Sequence, residues 1–143
     1  MAYCTLTDLE KLLPASMLIN LSNDTTGAVT VNQDNIDEAI DLADREIDAY
    51  LSIAGYVVPL SPVAPLVSNL SQQIAIWKLH LRKYFDSKVW REAYSDCIRT
   101  LEKIASGKLT LGQEDISVSQ AANTGHVVSS RTQKFTEDYM ETF

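Results

Sequence analysis

The sequence predicts a small all-α protein: a helical bundle of about four helices, built around a proline-rich elbow. Apolar residues recur at three- and four-residue steps in three long stretches, which is the helical period. Three prolines (Pro59, Pro62 and Pro65) interrupt these stretches in the middle of the chain, where no helix can continue. Beyond residue 112 the chain becomes polar, so we predict a helical domain over residues 1–112 and an extended C-terminal arm over residues 113–143.

Length and charge narrow the class of protein. A chain of 143 residues fits one domain, and its formal net charge of −7 argues against binding nucleic acid through its phosphates. No apolar run approaches the roughly 20 residues of a membrane span, and the N-terminus lacks the pattern of a signal peptide. These features indicate a protein made and used in a cytosolic compartment, without membrane attachment.

The N-terminal part of the chain contains short helical signals. Thr7 followed by Glu10 forms a capping-box pattern, so we predict a first helix starting at Asp8. Pro14 either ends this helix near Leu13 or opens a second short piece that continues through residues 17–19. Residues 20–30 are polar and predict an exposed loop.

The next helix is predicted from Gln33 or Asn35 to Ile53, with Gly55 as its terminator. Its non-apolar faces are strongly acidic, and four carboxylates recur at four- and three-residue steps along one side: Asp37, Asp41, Asp44 and Asp48. Like charges at this spacing repel. We interpret the stripe foremost as a solvated face; the alternatives are an interface with a basic surface of another subunit and, least favoured, a site for a hard cation.

The elbow spans residues 56–65 and leads into the central helix, which starts with Pro65 at its first position. The helical period predicts one buried face made of six residues: Leu66, Leu70, Ile74, Trp77, Leu81 and Tyr84. A last helix is predicted from Lys88 to Ser106, with Gly107 after its end, and residues 109–111 leave room for a short strand. These two helices carry most of the basic residues: Lys78, Arg82, Lys83, Lys88, Arg91, Arg99 and Lys103.

A catalytic or cofactor-binding motif is not found in the sequence. Glycine-rich phosphate loops, nucleophile elbows and Cys-x-x-Cys pairs are missing, and His80 and His126 have no partner at metal-ligand spacing. We interpret His80 as an ordinary packed side chain, Cys97 as a small core residue, and the aromatic residues of the last two helices as core rather than a stacking platform for bases. The residues therefore indicate a non-enzymatic protein without cofactor or metal, of the kind that binds other proteins.

Three stretches resemble one known family. The start Met1-Ala-Tyr-Cys-Thr-Leu-Thr-Asp-Leu9, the segment Ala43-Asp-Arg-Glu-Ile-Asp-Ala-Tyr-Leu51 followed by Tyr56-Val-Val-Pro-Leu60, and the segment Leu101-Glu-Lys-Ile-Ala-Ser-Gly-Lys-Leu-Thr-Leu-Gly112 stand in the family's order and spacing. The sequence is similar to the head-tail adaptor, or head-completion, proteins of Mu-like tailed phages and prophages.

This resemblance implies a structural connector subunit of the virion neck. Such a subunit would form a homo-oligomeric ring of about twelve copies below the portal protein, and would join the next connector, stopper or tail protein. DNA would pass through the ring without sequence-specific binding. Subunit-interface or channel candidates are Asp37, Asp41, Asp44, Asp48, Lys78, Arg82, Lys83, Arg91 and Arg99; candidates in the arm for docking on the portal or a neighbour are Arg131, Phe135, Tyr139 and Phe143.

One alternative function stays open at the level of sequence. A small acidic helical protein can also be an interaction module, or an inhibitor that mimics DNA by presenting carboxylates at the spacing of phosphates. The two classes differ in what they need from the carboxylates, because a mimic depends on their array over the surface whereas an adaptor depends on assembly.

Overall fold

A computed structural model describes residues 1–112, and these residues form five helices. They are α1 (Leu6–Leu12), α2 (Ala15–Ser22), α3 (Gln33–Ile53), α4 (Pro65–Arg82) and α5 (Lys88–Ala105). No strand occurs among the described residues, so the all-α class is confirmed and the strand expected at residues 109–111 is wrong. Leu109 and Leu111 instead pack, partly buried, against the core.

The core lies between α3, α4 and α5, which all contact one another, while α1 and α2 cover the remaining side of α4. Ile36, Ile47, Ile74 and Leu101 are fully or almost fully buried in this core. Because α4 is covered from more than one side, it is the central helix of the bundle, as its apolar sequence predicts.

The first helix begins two residues earlier than the sequence suggested. Thr5, and not Thr7, precedes the helix, and its backbone N–H and hydroxyl both donate to the Asp8 carboxylate, at 3.0 and 2.9 Å. The expected start at Asp8 is therefore wrong, because two overlapping Thr-x-x-acid patterns compete and the earlier one forms. Pro14 then opens α2, which raises the number of helices from the expected four to five.

Helix ends follow the local signals closely. Pro65 occupies the first turn of α4, and Gly55 and Gly107 follow α3 and α5 with φ of 89° and 75°, a region that favours glycine. Asn32 caps α3 by accepting a hydrogen bond from the Asn35 backbone N–H. The predicted bounds of α3, α4 and α5 are thus confirmed to within a residue or two.

The buried face of α4 differs from the predicted one at its C-terminal end. Leu70, Ile74 and Trp77 are buried as expected, but Leu81 is 49% exposed and Tyr84 is 97% exposed. Leu79 and His80 occupy the interior in their place. Tyr84 lies beyond the end of α4 with a φ of +52° and is therefore not part of the helical face that the apolar period predicts.

Candidate functional site

Two surfaces of the described domain stand out, and they differ in chemistry. The first is an acidic groove, defined here as the cavity of about 430 Å³ between the N-terminal residues 1–6, the acidic side of α3 and Pro59. The second is an apolar corner, defined here by Leu81, Tyr84, Phe85 and Val89, where α4 ends and α5 begins.

The acidic groove is held in shape by a buried hydrogen-bond network centred on Tyr3. The Tyr3 backbone N–H donates to Asp44 at 2.9 Å, and its hydroxyl donates to Asp48. The same hydroxyl accepts a hydrogen bond from the Leu60 backbone N–H at 2.9 Å. Ser71 of α4 donates to the other Asp44 oxygen at 2.6 Å. One tyrosine therefore connects the N-terminal segment, α3 and the proline elbow, while Asp44 adds α4.

This network joins two of the three family-like stretches of the sequence, the one that starts at Met1 and the one that runs from Ala43 to Leu60. Tyr3 comes from the N-terminal stretch, Asp44 and Asp48 from the end of the acidic helix, and Leu60 from the elbow; each supplies one partner of the same network. The spacing of these residues along the chain does not reveal that they meet in the fold.

The four carboxylates of the acidic stripe have different environments. Asp37 and Asp41 are exposed, and they contact Gln33 and Arg45 of their own helix. Asp44 is only 7% exposed, and Asp48 is half-buried against Tyr3. The expected solvated face thus holds for two of the four, because the N-terminal segment covers the others.

Burial sets the protonation behaviour of the groove. It raises the pKa of Asp44 above its ordinary value, although the hydrogen bonds from Ser71 and Tyr3 act in the opposite direction. Burial also raises the pKa of the Cys4 thiol to about 11, and Ser71 Oγ lies 3.2 Å from its sulfur. Within residues 1–112 no three His, Cys, Asp or Glu side chains are grouped so that they could hold a metal ion.

The sign of the Asp44 shift gives a testable pH dependence. A carboxyl whose pKa is higher in the folded than in the unfolded state stabilises the fold below its unfolded pKa, and this contribution is lost as the pH rises through the folded pKa. We expect Asp44→Asn to remove this loss, so that the stability difference between variant and parent shifts in favour of the variant as the pH rises above the ordinary carboxyl pKa of about 4. Urea unfolding at a series of pH values measures the difference.

The matched control for this experiment is Glu38→Gln, which removes a charge from an exposed position of the same helix. It shows what the loss of one negative charge does to stability without uncovering a buried group. A pH profile for Asp44→Asn that runs parallel to that of the parent would contradict the assigned direction of the Asp44 shift.

The basic candidates are mostly paired within the domain. Lys78 bridges to Glu46 at 2.7 Å, with both side chains about one-fifth exposed, and it lies 5.4 Å from the centre of the Tyr94 ring. Arg91 forms an ion pair with Asp86, and Arg99 forms one with Asp96. Arg82 pairs with Asp24 of the loop after α2. The charge segregation seen in the sequence is therefore partly neutralised within the described domain.

The apolar corner consists of large side chains that no described element covers. Tyr84 is 97% exposed, Val89 70% and Phe85 58%. Two open hollows of about 210 Å³ each lie on either side of Phe85, one towards Met17 of α2 and the other towards Trp77. Exposed apolar clusters of this kind usually mark a contact surface.

His80 forms the shared wall of both hollows. It is 1% exposed, its Nδ1 lies 2.8 Å from the Ile76 carbonyl, and its ring centre is 5.9 Å from Phe85 and 6.3 Å from Trp90. The contact with a carbonyl requires Nδ1 to carry the proton and donate. The interpretation of His80 as a packed side chain is confirmed, and it stiffens the floor of the apolar corner.

Cys97 and the aromatic residues also follow the sequence interpretation in part. Cys97 is buried and forms no disulfide, its thiol donates to Gln73 Oε1 at 3.5 Å, and burial raises the pKa of that thiol to about 11. Trp77 is buried and stacks on Tyr94 at 5.9 Å between ring centres. Tyr84 is the exception, because it points away from the core. The arm candidates Arg131, Phe135, Tyr139 and Phe143 lie outside the described residues.

Comparison with known proteins identifies the family. The family described as Bacteriophage Mu, Gp36 matches residues 3–130, which is most of the chain. The chain belongs to the Mu gp36 family. A Mu gp36 relative, the Mu-like prophage FluMu protein gp36 of Haemophilus influenzae strain Rd, is 32% identical over 103 residues, covering 72% of this chain and 71% of the relative.

Membership of the Mu gp36 family confirms the Mu-like phage origin inferred from the three stretches. The match starts at Tyr3, the centre of the buried network, and continues beyond the described domain to residue 130. None of the helices within residues 1–112 is long and apolar enough to span a membrane.

Proposed function

We propose that this protein is a structural subunit of the phage head-tail connector, which forms a ring below the portal and links the filled head to the next connector or tail protein. The proposal extends the family assignment by the resemblance to head-completion proteins. The observation that carries it is that one rigid helical domain presents two unlike surfaces, the acidic groove and the apolar corner.

A ring of identical subunits needs such a pair of surfaces. Head-to-tail contacts join one patch of a subunit to a different patch of the next, so each subunit must carry both. The exposed carboxylates Asp37 and Asp41 also suit a channel, because a negative wall does not hold passing DNA. Catalysis plays no part in this role.

The alternative function, a DNA-mimicking inhibitor, has less support. A mimic needs its carboxylates on the surface at phosphate-like spacing. Asp44 and Asp48, two of the four stripe residues, are engaged by Tyr3 and Ser71 instead. Their role is to hold the fold together, and this role fits a rigid assembly subunit.

The test uses purified full-length protein and phage heads that end in a bare portal. We expect cryo-electron microscopy of the mixture to show added density at the portal vertex, arranged as a closed ring. Heads lacking the portal are the control and should stay unchanged. Portal-bearing heads that gain no density at any protein concentration would overturn the connector function.

A further inference from the structure

The apolar corner is one of the two unlike surfaces of the proposed connector subunit, and its chemistry indicates which segment it binds. Its exposed rings and the two hollows beside Phe85 can accept large apolar side chains. Two lysines border it: Lys83 lines one hollow and makes no ion pair with any residue in 1–112, and Lys88 lies 3.9 Å from Glu92 with most of its side chain exposed. Asp86, which lines the other hollow, is paired with Arg91. An apolar site with a basic rim fits a peptide that is both aromatic and acidic.

This chain carries such a peptide. Residues 135–143 read Phe-Thr-Glu-Asp-Tyr-Met-Glu-Thr-Phe: three aromatic side chains at four-residue steps and one methionine, with three acidic residues and no basic residue. Two of the three rings can occupy the two hollows, the third can lie on the exposed rings of the corner, and the carboxylates complement the lysine rim. Aromatic anchors in pockets with a charged rim are a common basis of specific recognition.

The geometry of the domain favours a second copy as the source of this peptide. Helix α5 starts at the apolar corner and carries the chain about 27 Å away over its 18 residues. Beyond it, Leu111 donates a hydrogen bond to the Tyr56 hydroxyl, so the described chain ends against the elbow. The described chain therefore ends at the far end of α5 from the corner.

Reach does not limit the contact. The twenty-two residues 113–134 can span up to about 70 Å when extended, so this length lets the peptide reach the corner of a neighbouring copy as well as that of its own chain, and the isotope test below separates the two. Donor and acceptor at opposite ends of one rigid subunit are what a head-to-tail contact between copies requires.

We propose that the apolar corner of one subunit binds residues 135–143 of a neighbouring copy, with Phe135, Tyr139 and Phe143 as the aromatic anchors. This rests on the proposed function in one respect, that copies of the chain assemble with one another. It assigns to the arm a binding site on the neighbour rather than on the portal.

The test is photo-cross-linking between isotopically distinct copies of the full chain. A photo-reactive phenylalanine analogue replaces Tyr139, and equal amounts of ¹⁴N- and ¹⁵N-labelled protein are mixed in concentrated solution and irradiated. We expect cross-linked peptides that join position 139 of one isotope to residues 81–89 of the other. Links within single chains only, or links between copies outside residues 81–89, would overturn the proposal.

A variant pair checks the site itself. Tyr84→Asn combined with Val89→Gln removes two exposed side chains of the corner, and asparagine tolerates the positive φ at position 84. We expect the yield of the mixed-isotope link to fall by about tenfold or more. Ile53→Asn, an exposed apolar residue at the end of α3, is the control and should leave the yield unchanged.

The same variants on portal-bearing heads separate the two proposals. If the protein attaches to portal-bearing heads but forms no cross-link to the apolar corner, the connector function is supported and the docking site is refuted. If the protein forms cross-links to the apolar corner but does not attach to the heads, the docking site is supported and the connector function is refuted.

Discussion

Tyr3→Ala should lower the free energy of unfolding by about 3–5 kcal/mol, the usual range for removing a large buried ring. Tyr3 is 3% exposed, so the alanine leaves a cavity between the N-terminal segment and α3. It also removes the hydroxyl that joins Asp48 to the Leu60 backbone N–H, and both partners are left poorly satisfied. Urea unfolding followed by circular dichroism measures the change.

One further variant separates the hydroxyl from the ring, and a second at an exposed tyrosine is the control. Tyr3→Phe keeps the ring and removes only the hydroxyl, so it should cost about 1–3 kcal/mol. Tyr84→Ala removes an equally large ring from a 97% exposed position, and we expect a change within about 0.5 kcal/mol. Equal losses for Tyr3→Ala and Tyr84→Ala would contradict the role of Tyr3 as the centre of a buried network.

Ile47→Ala should cost about 2–5 kcal/mol, because this side chain is fully buried where α3 faces the other core helices. The loss has two parts, the transfer energy of the deleted methyl and methylene groups and the cavity that close-packed neighbours cannot fill. Thermal and urea unfolding both report it, and helical content at low denaturant should stay close to that of the parent.

Ile53→Ala is the matched control on the same helix. Ile53 is 72% exposed in the last turn of α3, so the same chemical change should alter stability by no more than about 0.5 kcal/mol. A loss at Ile53 as large as that at Ile47 would mean that the C-terminal end of α3 is covered in solution.

The two surfaces were predictable from sequence to different degrees. The spacing of its four carboxylates revealed the acidic stripe. It did not reveal that Tyr3 covers Asp44 and Asp48, because these contacts join residues more than forty positions apart. The apolar corner was not predicted from the sequence. Leu81 and Tyr84 continue the apolar period of α4, so the pattern assigned them to the core, whereas both are exposed. Periodicity identifies a face of a helix, whereas the neighbours of that helix decide how far along it burial extends.

The sequence by itself determined the all-α class, the three long helices and their ends, and the position of the elbow. These features depend on local chemistry: prolines that fix φ and remove a donor, glycines that adopt positive φ, and apolar residues at the helical period. The tertiary structure alone decided which capping box formed, which carboxylates were buried, and which aromatic side chains stayed at the surface. Those outcomes depend on contacts between distant parts of the chain, and their energies exceed the local preferences that a sequence pattern can express.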